Sequence, residues 1–236
     1  MELGKMTFKG GVHIPDYKEF TADKAIEKAK EPKIVYISLH QHVGSACKPI
    51  VEVGDKVKVG QKIGETDTYL YAPVHSSVSG EVKEIVSMYS PDGWKNETVV
   101  IESDGRNELH ESIKPNDYNS LNKEEKIEII KEAGIVGLGG AGFPMHTKLK
   151  TSDDGTVNVA ILNGAECEPL LRTDRYIMLK HAAEIVRTAL TLAETLCLNK
   201  CILGVKASYK KEIESLTKAK DEFYTALEFC FLDAYY

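Results

Sequence analysis

The chain has 236 residues, 42% apolar and 28% charged, and its 30 basic and 36 acidic side chains leave a net charge of −6. That balance excludes a disordered chain and a general nucleic-acid polycation, and no apolar run approaches the ~20 residues of a membrane helix. At about 150 residues per domain, the length allows one large domain or two modest ones. The opening Met1-Glu2-Leu3-Gly4-Lys5-Met6 has no apolar stretch of signal-peptide type, so a cytoplasmic polypeptide without its own membrane span is expected.

From Ile34 to Glu102 the pattern is short and β-like. Ile34-Val35-Tyr36-Ile37, Val57-Lys58-Val59, Val82-Lys83-Glu84-Ile85-Val86 and Thr98-Val99-Val100-Ile101 are separated by turn signals such as Gly54-Asp55, Ser79-Gly80 and Pro91-Asp92-Gly93. The polar stretch Ser103–Leu121 reads as a linker. Beyond it the pattern alternates helix and strand. Asn122 followed by Glu125 predicts a capping box, with Ile127 and Ile130 on one face and Gly134 as the stop. Val157–Leu162, Lys200–Val205 and Leu227–Leu232 predict strands. Asp174–Leu198 predicts one long helix carrying Ile177, Ile185, Ala189, Leu192 and Leu196, and Ser208–Lys220 a second helix capped by Ser208. This order implies a parallel sheet with right-handed crossovers.

The five cysteines, Cys47, Cys167, Cys197, Cys201 and Cys230, contain no Cys-x-x-Cys pair. Buried reduced thiols are expected, and no metal or cluster site is expected within this chain. Gly137-Leu138-Gly139-Gly140-Ala141-Gly142 satisfies G-x-G-x-x-G, but a helical pattern precedes it and Phe143-Pro144 follows. A Rossmann site needs a strand before the glycines and a helix directly after them, so that reading is rejected. The loop still suits close backbone approach to an anion, with Lys148 placed to meet a phosphate. Asn163-Gly164-Ala165-Glu166-Cys167-Glu168-Pro169 follows a strand at the edge where parallel sheets bind ligands.

Two resemblances are carried by these residues. The repeated valine–glycine pattern of Val51–Gly64 and Ala72–Val82 resembles the barrel-sandwich hybrid fold of biotinyl and lipoyl carriers. The hairpin Glu65–Tyr71, where carriers hold their modified lysine, has none. The glycine loop, Lys148 and the Asn163–Pro169 stretch look like the FMN- and NADH-binding core of the flavoprotein subunit of respiratory complex I. Phe8-Lys9-Gly10-Gly11-Val12-His13-Ile14-Pro15, Gln41-His42-Val43-Gly44 and Pro73-Val74-His75-Ser76-Ser77-Val78-Ser79-Gly80 are similar to the C subunit of Rnf-type ion-translocating ferredoxin:NAD oxidoreductases.

The resemblance implies an α/β plus all-β chain. A barrel-sandwich hybrid domain with an amino-terminal extension would occupy residues 1–112, and the first part of an FMN/NADH-binding α/β domain residues 113–236. It implies that the backbone at Gly137, Gly139, Gly140 and Gly142 passes the flavin and its phosphate, and that Lys148 neutralises that phosphate. Asn163 and Glu166 would contact the isoalloxazine or ribityl part, Phe143 would stack on the nicotinamide or adenine, and Glu168 would orient the nicotinamide amide. The expected cofactors are FMN and NAD(H), with no catalytic acid, base or nucleophile. The chemistry that the resemblance implies is hydride exchange followed by one-electron transfer to 4Fe-4S clusters. Those clusters are expected only in a carboxyl-terminal part beyond Tyr236, the chain being an amino-terminal fragment that is inactive alone.

Expected partners are other subunits of a membrane electron-transfer complex on the cytoplasmic face, and ferredoxin-linked carriers. Ala165 stands where the complex I pattern has Asp, Leu138 or Gly139 where it has Arg, Met145 where the Rnf pattern has Thr and Leu170 where it has Tyr. The last two departures keep open a soluble relative feeding a cobalamin or amino-acid reductase, and the missing cluster cysteines and second half of the flavin fold keep open a docking module without a competent redox site.

Overall fold

The computed structural model describes residues 15–22, 24–90, 93–115, 117–138, 140–150, 156–223 and 227–233. The motif residues 8–14, the turn Pro91-Asp92, Gly139, Asp153-Asp154 and the closing Ala234–Tyr236 lie outside them. In chain order the first elements are α1 (Glu19–Ala22), β1 (Ile34–Ser38), β2 (Lys48–Pro49), β3 (Lys56–Val57), β4 (Lys62–Glu65), β5 (Val74–His75), β6 (Gly80–Tyr89) and β7 (Lys95–Ser103). They are followed by α2 (Lys123–Glu132), α3 (Met145–Lys150), β8 (Val159–Gly164), α4 (Thr173–Lys180), α5 (Ala182–Thr195), β9 (Lys200–Lys206), α6 (Lys210–Glu222) and β10 (Glu228–Leu232). Among the described residues, no helix is long and apolar enough to cross a membrane. The chain divides into two compact units, Lys28–Thr151 and Met1–Glu27 together with Ser152–Tyr236.

The first unit is a curled β structure. One antiparallel sheet runs β1-β7-β6-β3 and a second runs β2-β4-β5. Alternating valines and isoleucines send Leu39, Ile63, Val82, Val99 and Ile101 into one core, each with no exposed surface. Burying each such side chain contributes about 1.5–3 kcal/mol.

The expected linker is shorter than its polarity suggested. Val59 N–H donates to the Glu108 carbonyl and His110 N–H to that of Val59, both at 2.9 Å, and Ser79 Oγ donates to Asp104 at 2.6 Å. Lys58 pairs with Glu108 and Glu111, whose hydrogen bonds push its ammonium pKa up to about 12. The residues through Ile113, which lies against Gly60, are thus partners for the barrel rim, and only the stretch after them remains a connector. Helix α2 forms as its capping box predicts, with Glu125 N–H donating to Asn122 Oδ1 and Asn122 N–H to Glu125 Oε2, both at 2.9 Å.

The second unit holds a parallel sheet of order β10-β9-β8. Its core gathers Val186, Val205, Leu216 and Leu227, all essentially without exposed surface. The expected long helix 174–198 is instead α4 and α5, broken at His181, which leaves helical geometry at φ −123° and ψ 32°. The buried stripe is Met178, Ala182, Val186 and Ala189, one residue on from the predicted Ile177 and Ile185. Helix α6 is capped at Tyr209 and not at Ser208, with no side-chain cap bond. Tyr209 is 3% exposed, and seating its ring in the core sets where the helix starts.

The cysteines divide, against the expectation of uniformly buried thiols. Cys47 and Cys201 are buried, while Cys167 and Cys197 are exposed in turns, where the chain is not closed over them. Burial pushes the Cys47 thiol pKa up to about 11 and raises that of Cys201. A maleimide at pH 8 is therefore expected to modify Cys167 and Cys197 in the folded chain, and Cys47 and Cys201 only in denaturant. Peptide mapping by mass spectrometry checks this, and equal labelling rates at Cys47 and Cys167 would contradict it.

Candidate flavin and nicotinamide site

The glycine loop and Lys148 fall in the first unit, and Asn163, Glu166 and Glu168 in the second. In the first unit, α2 stops where its sequence says it should. Gly134 adopts φ +65° and donates to the Lys131 carbonyl at 2.8 Å, while Ile135 N–H reaches the Ile130 carbonyl at 3.3 Å. This pair of bonds is the Schellman arrangement that satisfies terminal carbonyls. A Cβ on Gly134 would also meet the Pro73 carbonyl oxygen at 2.5 Å, so no other residue fits.

The chain then makes a closed loop. Val136 bridges Pro144 antiparallel, Gly137 N–H donates to the Phe143 carbonyl at 3.0 Å, and Met145 N–H donates to the Ile135 carbonyl at 2.9 Å. Outside that clasp Leu138 is 91% exposed and Gly140 has open space around it. Gly142 sits at φ +67° with its carbonyl accepting from Val43 N–H at 3.3 Å. A Cβ there would lie 3.1 Å from both the Gln41 oxygen and the His42 Cα. The Gln41–Gly44 motif is therefore the seat of the glycine loop. Helix α3 buries His146, Thr147 and Leu149 and leaves Lys148 exposed, its Nζ 5.9 Å from the centre of the Phe143 ring.

His75 has a structural role. It packs against Gly134, and burial lowers its pKa although a hydrogen bond with the Glu132 backbone pulls the other way.

In the second unit, β8 ends at Gly164 and carries Asn163, exposed, whose Oδ1 accepts the Ala165 N–H at 3.0 Å. Glu168 is also exposed, with the Cys167 thiol 3.4 Å from its Oε2. Glu166 is different: it is 5% exposed, and both carboxylate oxygens are taken. Oε1 accepts the Asp174 N–H at 3.0 Å and Oε2 pairs with Lys18 Nζ at 3.2 Å. Its carbonyl accepts the Tyr209 hydroxyl at 3.3 Å. The expectation that Glu166 contacts the flavin thus meets a carboxylate turned inward, toward the protein. Burial, then the charges of Glu166 and Glu168, raise the Asp174 pKa, with Lys18 acting against them.

Lys18 is the residue that sequence reading missed. It is 4% exposed, and its ammonium also donates to the carbonyls of Glu168 at 2.8 Å and Leu171 at 2.5 Å. It lies 148 positions from Glu166, and a lone lysine in a polar stretch carries no local pattern that would flag it.

Comparison with known proteins matches residues 6–106 to the RnfC barrel sandwich hybrid domain and residues 130–236 to the Nuo51 FMN-binding domain. The C subunit of the proton-translocating ferredoxin:NAD(+) oxidoreductase complex of Clostridium ljungdahlii is 41% identical over 214 residues, 90% of this chain and 47% of that protein. Its counterpart in the Na(+)-translocating complex of Acetobacterium woodii is 40% identical over 222 residues, 93% of this chain and 50% of that protein. The chain spans about half the length of these curated relatives. Among solved structures, an NAD+-reducing nickel–iron hydrogenase aligns with 48% of this chain and 21% of its own at 24% identity and a TM-score of 0.44.

Proposed function

Because the chain belongs to the RnfC family over the half of its relatives' length that it spans, we propose that it holds part of the FMN and NAD(H) site of an ion-translocating ferredoxin:NAD oxidoreductase. The observation that carries this reading is the FMN-binding-domain match over residues 130–236, which takes in both the glycine loop and the Asn163–Glu168 turn. The relatives' names favour a subunit of such a complex over a free-standing dehydrogenase or a docking module. A place on the cytoplasmic face, reaching the membrane through partner subunits, is part of the same proposal, and what supports it is that the relatives are named as subunits of ion-translocating complexes. A module boundary near residues 112 and 113 is supported by matches that end at 106 and begin at 130, whereas the compact units of the fold divide at Thr151 and Ser152 and leave the glycine loop with the barrel.

Each of the two segments fits flavin chemistry on its own terms. Around Gly140 nothing lies within 4 Å of where a Cβ would stand, so a ligand has the space a side chain would fill. Backbone amides of such a loop and the Lys148 ammonium are donors suited to a phosphate. Asn163 offers an amide and Glu168 a carboxylate at the carboxyl edge of a parallel strand, suited to hydroxyls and to a carboxamide. FMN, when bound, supplies the conversion between two-electron exchange with the nicotinamide and one-electron transfer onward. The protein's task is positioning: Lys148 neutralises the phosphate, Phe143 offers a ring face, and Glu168 accepts from the nicotinamide amide. Glu166 holds the turn in place.

Titrating the purified chain with FMN and following flavin fluorescence tests this reading. Saturable quenching is expected, weakened at least tenfold by Lys148→Ala combined with Glu168→Ala. Unchanged affinity in the double variant would overturn the residue assignment, and no saturable binding by the unmodified chain would overturn the flavin reading.

A further inference from the structure

Lysine is among the side chains least often fully buried, because removing its ammonium from water costs several kcal/mol unless partners replace every hydration contact. Lys18 meets that condition. Its three N–H donors have three acceptors, Glu166 Oε2 at 3.2 Å and the carbonyls of Glu168 at 2.8 Å and Leu171 at 2.5 Å. All three lie within six residues of the turn that follows β8. The grip is reinforced on either side of Lys18, since Leu170 N–H donates to the Asp16 carbonyl at 2.8 Å and Thr21 Oγ1 to the Leu170 carbonyl at 2.9 Å. Leu170 sits at φ +66°, a conformation that L side chains rarely adopt and that persists only where surrounding contacts determine it.

We propose that Lys18 is a positioning residue for the ligand-facing turn: by drawing Glu166 inward and pinning the Glu168 carbonyl, it leaves Glu168 as the carboxylate that addresses the ligand. The pattern Glu166-Cys167-Glu168 otherwise offers two equivalent acids. The buried cation makes them unequal, one turned in and saturated, the other exposed. The amino-terminal strap, residues 15–22, is thereby part of the site it was not expected to touch. The consequence for FMN rests on the flavin reading above; the clamp itself does not.

The test compares the full chain with Lys18→Met and with the milder Thr21→Val, which removes the hydroxyl's bonds to the carbonyls of Leu170 and Lys18 and leaves the buried ammonium in place. Hydrogen–deuterium exchange is expected to show lost protection at the amides of Ala165–Asp174 in both variants, larger in Lys18→Met, with β9 unchanged. FMN affinity, read by fluorescence quenching, is expected to fall about tenfold in Lys18→Met with the same quench at saturation. Adding Glu166→Gln to Lys18→Met, which removes the stranded carboxylate, is expected to recover part of both losses. Unchanged exchange in the turn would overturn the clamp. Lost protection without any change in FMN affinity would overturn the positioning role and leave Lys18 as a structural tether. Should Lys18→Met not fold, Thr21→Val and the charge-neutral double variant carry the same two readouts. Should the unmodified chain bind no FMN, the flavin reading fails, and the exchange data still decide whether Lys18 sets the turn.

Discussion

Replacing Arg175 by Met is expected to lower the unfolding free energy by about 3–5 kcal/mol, because it strands a buried carboxylate. Glu212 is 4% exposed at its side chain, and its Oε1 accepts from Arg175 Nε at 2.8 Å. Its Oε2 is buried without a hydrogen-bond partner, so the guanidinium is already carrying most of that group's compensation. Arg175 is 21% exposed and also lies over the Tyr209 ring, 4.4 Å from its centre, so the variant loses a cation–π contact worth about 0.5–2 kcal/mol as well. Exposed ion pairs rarely reach such values. Here burial of one partner is what raises the cost. The double variant Arg175→Met with Glu212→Met removes both charges and is expected to regain most of the loss. Urea unfolding followed by circular dichroism checks both, and a loss below about 1 kcal/mol in the single variant would show the pair to be solvent-compensated.

That ion pair is one end of a connected set. Glu212 on α6 holds Arg175 on α4; Arg175 covers Tyr209; the Tyr209 hydroxyl donates to the Glu166 carbonyl; and Glu166 is held by Lys18. Each link is short and most members are buried. The turn after β8 is therefore fixed by polar contacts from three separate chain segments. A turn whose own backbone includes a leucine at positive φ would not hold one shape without them. This is the arrangement expected where a ligand must meet preorganised groups, since a turn ordered only on binding would spend affinity on its own ordering.

How much of this was legible in advance depended on the range of the cause. Local chemistry could be read directly: the Asn122–Glu125 capping box, the Gly134 stop and the strands rich in valine formed where side-chain pattern alone required them. The glycine loop was placed, and the rejection of a Rossmann turn holds, since α2 precedes it. What failed was set at a distance. The polar residues Asp104, Glu108 and Glu111 looked like linker because their partners, Ser79 and Lys58, lie far back in sequence. The break at His181, and the burial of Met178 and Val186 in place of their neighbours Ile177 and Ile185 while Ala189 is buried as predicted, fall below the resolution of a periodicity argument. Glu166 and Glu168 are indistinguishable in the motif, and only the buried Lys18 tells them apart. The candidate site was thus readable as a set of residues, and its internal division of labour was not.

The two described glycines at the far end of the loop separate the fold's needs from the ligand's. At Gly142 a valine would place a β-branched side chain at φ +67° with its Cβ 3.1 Å from the backbone of Gln41 and His42. Strain and overpacking together predict a loss of about 2–5 kcal/mol, read by urea unfolding. At Gly140 the same substitution meets open space and no positive φ, so stability is expected to stay within about 0.5 kcal/mol. If the backbone at Gly140 is where a flavin or its phosphate comes close, the valine occupies the ligand's place, and FMN affinity is expected to fall tenfold or more although the protein remains fully folded. A Gly140→Val chain that binds FMN as well as the unmodified one would show that this glycine serves the chain's own turn and not a ligand. If Gly142→Val unfolded no more easily, the seat on Gln41–His42 would not be what holds the loop. The contrast between the two positions rests on one physical distinction: at Gly142 the missing side chain makes room for the protein itself, and at Gly140 it makes room for something else.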